Sequence, residues 1–72
     1  MEDITIHTPF IKLGQLLKLA GLIDQGSDVK IFLSEDMVLV NGSPVSQRGK
    51  KVMPGDIVEL RGRGSIRVVS GE

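Results

Sequence analysis

A chain of 72 residues with nine Lys and Arg against nine Asp and Glu carries no net charge, and it has no Cys, which excludes disulfide staples, thiol chemistry and Cys-based zinc sites. Its 40% hydrophobic and 25% charged content is that of an ordinary soluble domain, one that at this length holds only a thin core. No apolar run reaches the length of a membrane span, the single His7 builds no metal site alone, and Met1-Glu2-Asp3 is acidic where a secretory signal is basic, so the cytoplasm is the expected compartment and no membrane or cofactor is called for.

Ile4-Thr5-Ile6 alternates and reads as a short strand ending at His7. A helix follows, with Thr8 as N-cap and Pro9 at the first helical position, or with a later start near Leu13 because Gly14 inside a helix is unfavourable by about 1 kcal/mol relative to Ala. Leu13, Leu16, Leu17 and Ala20 recur at helical spacing and make one buried stripe, and Gly21 suits the position just beyond the helix end. Counting about 100° per residue puts Lys12 beside that stripe and Lys18 nearly opposite it, toward solvent. After a loop at Gln25-Gly26, Ser27 is the expected N-cap of a second helix with Asp28 in its first turn. Val29, Phe32 and Leu33 form its apolar face, Ile31 points away from it, and Lys30 is carried on the same helix.

Val38-Leu39-Val40, Asn41-Gly42 and Ser43-Pro44-Val45 read as strand, type I′ turn and returning strand, because Asn and Gly tolerate the positive φ that both central positions need. Pro44 has no N–H to give a ladder, so its strand should lie at an edge. A basic loop, Arg48-Gly49-Lys50-Lys51, leads to Met53-Pro54-Gly55-Asp56, which fits a type II turn. Ile57-Val58-Glu59-Leu60 is a further strand, Arg61-Gly62-Arg63-Gly64 a Gly-rich turn, and Ser65 to Val69 a last strand. The order predicts an α+β fold, a helix pair packed on one face of a small antiparallel sheet with a β-hairpin.

The charges are segregated. Residues 1–36 hold three Lys against six acids, and the remainder six Lys and Arg against three acids. A solvated sheet face with charged edges accounts for such a split, and so does an anion-binding surface. No catalytic constellation emerges: the serines have only His7 as a base, with no acid in an orienting position, and no glycine-rich turn carries the Lys-Ser/Thr pair of a phosphate loop. With only Phe10 and Phe32 as aromatics, base stacking on single strands is disfavoured. A binding module without catalysis is the reading that remains.

Lys12-Leu13-Gly14-Gln15-Leu16-Leu17-Lys18, the second helix from Ser27 to Leu33, and Val38 to Gly42 continuing through Gly55-Asp56-Ile57 resemble the RNA-binding domain named after the fourth small-subunit ribosomal protein, the αL RNA-binding motif. The resemblance covers about residues 11–60 of a single domain spanning 1–72, and the run from Phe10 to Gly21 with Arg48-Gly49-Lys50-Lys51 is closer still to the small stand-alone bacterial members of the YaaA and YbcJ type. It implies a basic surface, formed by the helix pair and the hairpin, that engages rRNA, tRNA or a regulatory RNA, with the ribosome as a possible setting. Lys12, Lys18, Lys30, Arg48, Lys50 and Lys51 are then the expected phosphate contacts, and Asn41 and Gly42 the turn that positions the basic loop. Lys12 stands where the family usually has Arg, Gly14 where many members have Asp, and Gly26 where many have a helix-opening Arg.

Two other readings belong beside this one. The Val-rich hairpin, Pro54-Gly55-Asp56 and the Leu-rich helix also resemble ubiquitin-like sulfur carriers, which act through a C-terminal Gly-Gly, but this chain ends Ser70-Gly71-Glu72. A protein-interaction adaptor using Ile31 and the sheet edge is the other.

Overall fold

The alternation of Ile57-Val58-Glu59-Leu60 requires Val58 and Leu60 to share a face. In the computed structural model, which describes residues 1–71, both are fully buried while Ile57 and Glu59 point outward. The elements run β1 (Glu2–Ile6), β2 (Ile11–Lys12), α1 (Leu13–Leu19), α2 (Val29–Ser34), β3 (Val38–Val40), β4 (Ser43–Pro44), β5 (Lys51–Val52), β6 (Ile57–Leu60) and β7 (Gly64–Ser70). Five strands form one sheet in the order β1-β7-β6-β3-β4, and β2 pairs with β5 in a separate ribbon. Within the larger sheet every pair is antiparallel except β1 with β7, which is parallel. The α+β arrangement expected from the sequence holds, with the sheet mixed rather than wholly antiparallel because the first strand returns to the last. Glu72, on which the argument against a sulfur carrier ended, lies outside the described residues.

The core is the helix stripe set against one sheet face. Leu13, Leu16 and Leu17 from α1 and Val29 and Leu33 from α2 cluster with Val38, Val40, Val58, Leu60, Ile66 and Val68. Their rows match across the ladder, Val40 to Val58 to Ile66, so each inward side chain meets another inward side chain. One helix starts at an expected position and the other is shifted by one residue. The Thr8 hydroxyl donates to the Phe10 carbonyl at 2.8 Å, Ile11 and Lys12 are extended in β2, and α1 begins at Leu13, the later of the two expected starts. The N-cap of α2 is Asp28, not Ser27: its Oδ1 accepts the Lys30 N–H at 3.0 Å.

Both helices end in the same way. At α1, Gly21 N–H donates to Lys18 O and Leu22 N–H to Leu17 O, and at α2, Asp36 N–H donates to Leu33 O and Met37 N–H to Phe32 O. These paired bonds close the last carbonyls of each helix in Schellman geometry, with Asp36 taking the left-handed position at φ 56°. Arg63 binds the two ends together. Its Nη1 donates to Leu22 O at 3.2 Å and its guanidinium lies 5.2 Å from the Phe32 ring centroid.

The expected turns are present. Asn41 and Gly42 have φ of 52° and 85°, and Pro44 sits on the edge strand β4. Gly55 has φ 98°, and Asp56 N–H donates to Met53 O at 3.0 Å, closing the type II turn. Asn41 joins the two turns: its Oδ1 accepts the Ile57 N–H at 2.9 Å, its Nδ2 donates to Asp56 Oδ1 at 3.1 Å, and Asp56 Oδ2 accepts the Met53 N–H at 2.9 Å.

Gly42→Val forces a β-branched residue into positive φ and is expected to cost about 1 to 3 kcal/mol; an unchanged chemical-denaturation midpoint would show that the turn carries no such constraint. Asn41→Asp keeps an acceptor for Ile57 but sets a carboxylate against Asp56. It should lower the thermal midpoint at neutral pH, whereas a midpoint equal to wild type would mean that the Asn41 to Asp56 bond contributes nothing.

Candidate nucleic-acid interface

The first amides of a helix need acceptors, and Lys12, the residue at the N-cap of α1, supplies no side-chain bond. The acceptors come from the basic loop instead. Leu13 N–H donates to Lys50 O and Gly14 N–H to Arg48 O, each at 2.9 Å. Gly14 lies at the contact: a Cβ there would stand 3.5 Å from Arg48 O and 3.7 Å from both Arg48 Cβ and Val29 Cγ2, in ordinary van der Waals contact with the loop and with α2.

Holding the loop against α1 and beside the entry to α2 encloses a groove of about 450 Å³. Lys12, Gly14, Gln15 and Lys18 form one wall, Arg48 and Gly49 another, and Ser27, Asp28 and Val29 the third. Three of the six expected phosphate contacts, Lys12, Lys18 and Arg48, therefore meet in one place. Lys18 does not point wholly to solvent as the helical count suggested; it is half-buried and lines the groove, because the segment leading into α2 runs alongside the face it occupies.

The other three do not line the groove. Lys12 and Lys51 are directly opposite in the β2 and β5 pair, so two like charges share one face of the ribbon. That pairing opposes folding, and it is eased only in part by Phe10, whose ring centroid lies 4.7 Å from Lys51 Nζ. Lys50 and Lys30 are exposed. Asn41 and Gly42 fix their own turn and the 53–56 turn beside it; the direct hold on the basic loop comes from α1. Arg63, assigned from the sequence to a peripheral turn, is engaged with Leu22 and Phe32.

Gln15, Ser27, Asp28 and Gly49 also line the groove, and sequence reasoning had given none of them a binding role. Gln15 had a signal, being a polar residue one helical turn from Lys12 and Lys18 on the same side. Ser27 and Asp28 read equally well as a helix cap, so their place in a groove was not visible. Among the described residues no group of His, Asp and Glu is placed to hold a metal ion, and no helix is long and apolar enough to cross a membrane.

Comparison with known proteins agrees with this architecture. The family model for the S4 domain matches residues 4–69. The probable ribosome maturation protein RlbA of Bacillus subtilis (strain 168) is 52% identical over 69 residues, covering 96% of this chain and 97% of that protein. The putative RNA-binding protein YbcJ of Escherichia coli (strain K12) is 34% identical over 62 residues, covering 86% and 87%. The solution structure of E. coli YbcJ, described as revealing an αL motif involved in RNA-binding, superposes with a TM-score of 0.72 at 31% identity, over 96% of this chain and 87% of that one. With the family model spanning both helices and every strand from β2 to β6, and with relatives matched over nearly their whole length, the chain belongs to the S4 domain family.

Proposed function

We propose that this chain is a single, non-catalytic cytoplasmic module that binds structured RNA through the groove and the basic residues around it, with ribosomal RNA as the foremost target class. The observation that carries the reading is the convergence of Lys12, Lys18 and Arg48 on one groove in a chain whose overall charge is zero. Those cations come from two segments far apart in the chain, α1 with its cap and the basic loop, and Lys12 faces a fourth cation, Lys51, across a ribbon that would be more stable without the repulsion. An anion with closely spaced charges, as a folded nucleic-acid backbone presents, offsets that repulsion. Lys30 and Lys50, both exposed, are assigned to the same surface. The similarity to a putative RNA-binding protein and to a probable ribosome maturation protein supports RNA over other polyanions, and rRNA over other RNAs. Because such contacts meet phosphates, they fix orientation and carry little sequence information by themselves.

Phosphate binding releases counterions, so log affinity should fall linearly with log salt concentration, by roughly 0.9 per contact on a duplex. The variant Lys12→Ala/Lys18→Ala/Arg48→Ala leaves the loop's grip on α1 in place, since that grip uses main-chain carbonyls. It is expected to bind a labelled rRNA hairpin more weakly and to lower the salt slope by about 2 to 3. Arg61→Ala, at an exposed turn residue, is the control and should change neither. Fluorescence anisotropy across a salt series reads both quantities. An unaltered slope in the triple variant would remove the groove from the binding surface, and absence of wild-type binding even at low salt would defeat the RNA reading altogether.

A further inference from the structure

The groove contains one residue that phosphate binding does not explain. Asp28 places a carboxylate among Lys12, Lys18 and Arg48, yet the ion pair found among the described residues is Arg67 with Asp3, on the far strands of the sheet. A negative charge in a phosphate site weakens it. Nor does capping require the charge, because Asn and Ser cap a helix as well as Asp does. The cap uses only Oδ1, which accepts the Lys30 N–H, and a carboxylate offers about four acceptor positions over its two oxygens. The carboxylate of this groove residue therefore keeps acceptor capacity unspent.

The rest of the lining suits a base rather than a second phosphate. Its volume of about 450 Å³ falls in the range of small-molecule sites, about 300 to 1,000 Å³, which is room for a nucleotide and far too little for a helix. Gly49 brings no side chain to its wall, and nothing lies within 4 Å of where its Cβ would stand, which leaves room there for a flat ring. A carboxylate accepts hydrogen bonds and donates none, so it selects a base edge that presents neighbouring donors. Guanine alone does this, with N1–H and the N2 amine side by side on its Watson–Crick edge. Adenine and cytosine set a ring acceptor beside their single amine, and uracil flanks its N–H with two carbonyls, each of which a carboxylate repels. In a duplex that edge is already paired, so the base must come from a bulge or loop, where specific RNA recognition concentrates.

We infer that the groove receives one unpaired guanine, its Watson–Crick edge on the Asp28 carboxylate, while Lys12, Lys18 and Arg48 hold the phosphates on either side. The inference rests on the RNA-binding reading above and adds a base preference to it. Gln15, on the same wall as Lys18, supplies an amide donor of the kind that guanine O6 accepts.

Anisotropy titrations with hairpins identical except for a single bulged G, A, C, U or inosine, together with a fully paired hairpin, test it. Wild type should bind the G bulge about 10-fold or more tighter than the A, C or U bulge, the scale of a good bidentate contact. Inosine, lacking the N2 amine, should fall between. Asp28→Asn keeps a capping oxygen and loses the charge and one acceptor, so most of the guanine preference should vanish, while binding to the fully paired hairpin, relieved of a carboxylate among the cations, should tighten. A thermal midpoint near that of wild type shows that the cap has survived. Equal wild-type affinity for all five bulges, or a guanine preference undiminished in Asp28→Asn, would overturn this inference and leave the phosphate-binding groove standing. Failure of wild type to bind any of the RNAs would overturn both.

Discussion

Two hydrogen bonds from the start of α1 hold the basic loop where Arg48 and Gly49 can line the groove. A helix whose first amides are satisfied by its own capping side chain can float free of distant segments, but this one takes its acceptors from Arg48 and Lys50, more than thirty residues downstream. The loop is thereby fixed by its main chain, and its side chains stay available. Had Arg48 held the helix through its guanidinium, the groove would have lost a cation to structure. Gly14 sits at this junction, close to both the loop and Val29 of α2.

A similar division separates the other polar groups. Asn41 and Asp56 spend their side chains on binding two turns together, and Arg63 spends its own on the ends of both helices. None of these lines the groove. The polar side chains that hold the fold are thus distinct from the three cations and the carboxylate that line the groove.

The sequence was most informative where local rules act without competition. The Asn41-Gly42 and Pro54-Gly55 turns, the stripe of Leu13, Leu16 and Leu17, and the alternation of β6 all follow from backbone preference or periodicity and appear as expected. It was less informative where a distant partner took over a local role. Thr8-Pro9 is a good helix start judged by itself, but pairing of Ile11 with Val52 keeps that stretch extended and the loop carbonyls cap a later start. The pairing of β1 with β7 left no local mark either, because a short alternating strand looks the same whichever neighbour it finds. At the site, a residue count placed Lys12, Lys18 and Arg48 among the cations but not together, and the resemblance to the αL motif supplied the expectation that they share a surface. Asp28 was hidden by its own ambiguity, since a cap and a groove residue look alike in one dimension.

The parallel pairing of β1 with β7 also bears on how the molecule assembles. Asp3 and Arg67, which meet across it, are 64 residues apart, whereas the hairpins of the sheet join near neighbours. Entropy lost in closing so long a segment must be met before the contact returns anything, so such pairings come late in folding. As an edge strand, β1 has β7 as its single neighbour in the sheet. The groove draws no lining residue from it, so fraying at that edge and occupancy of the groove are kinetically separate events in the same small molecule.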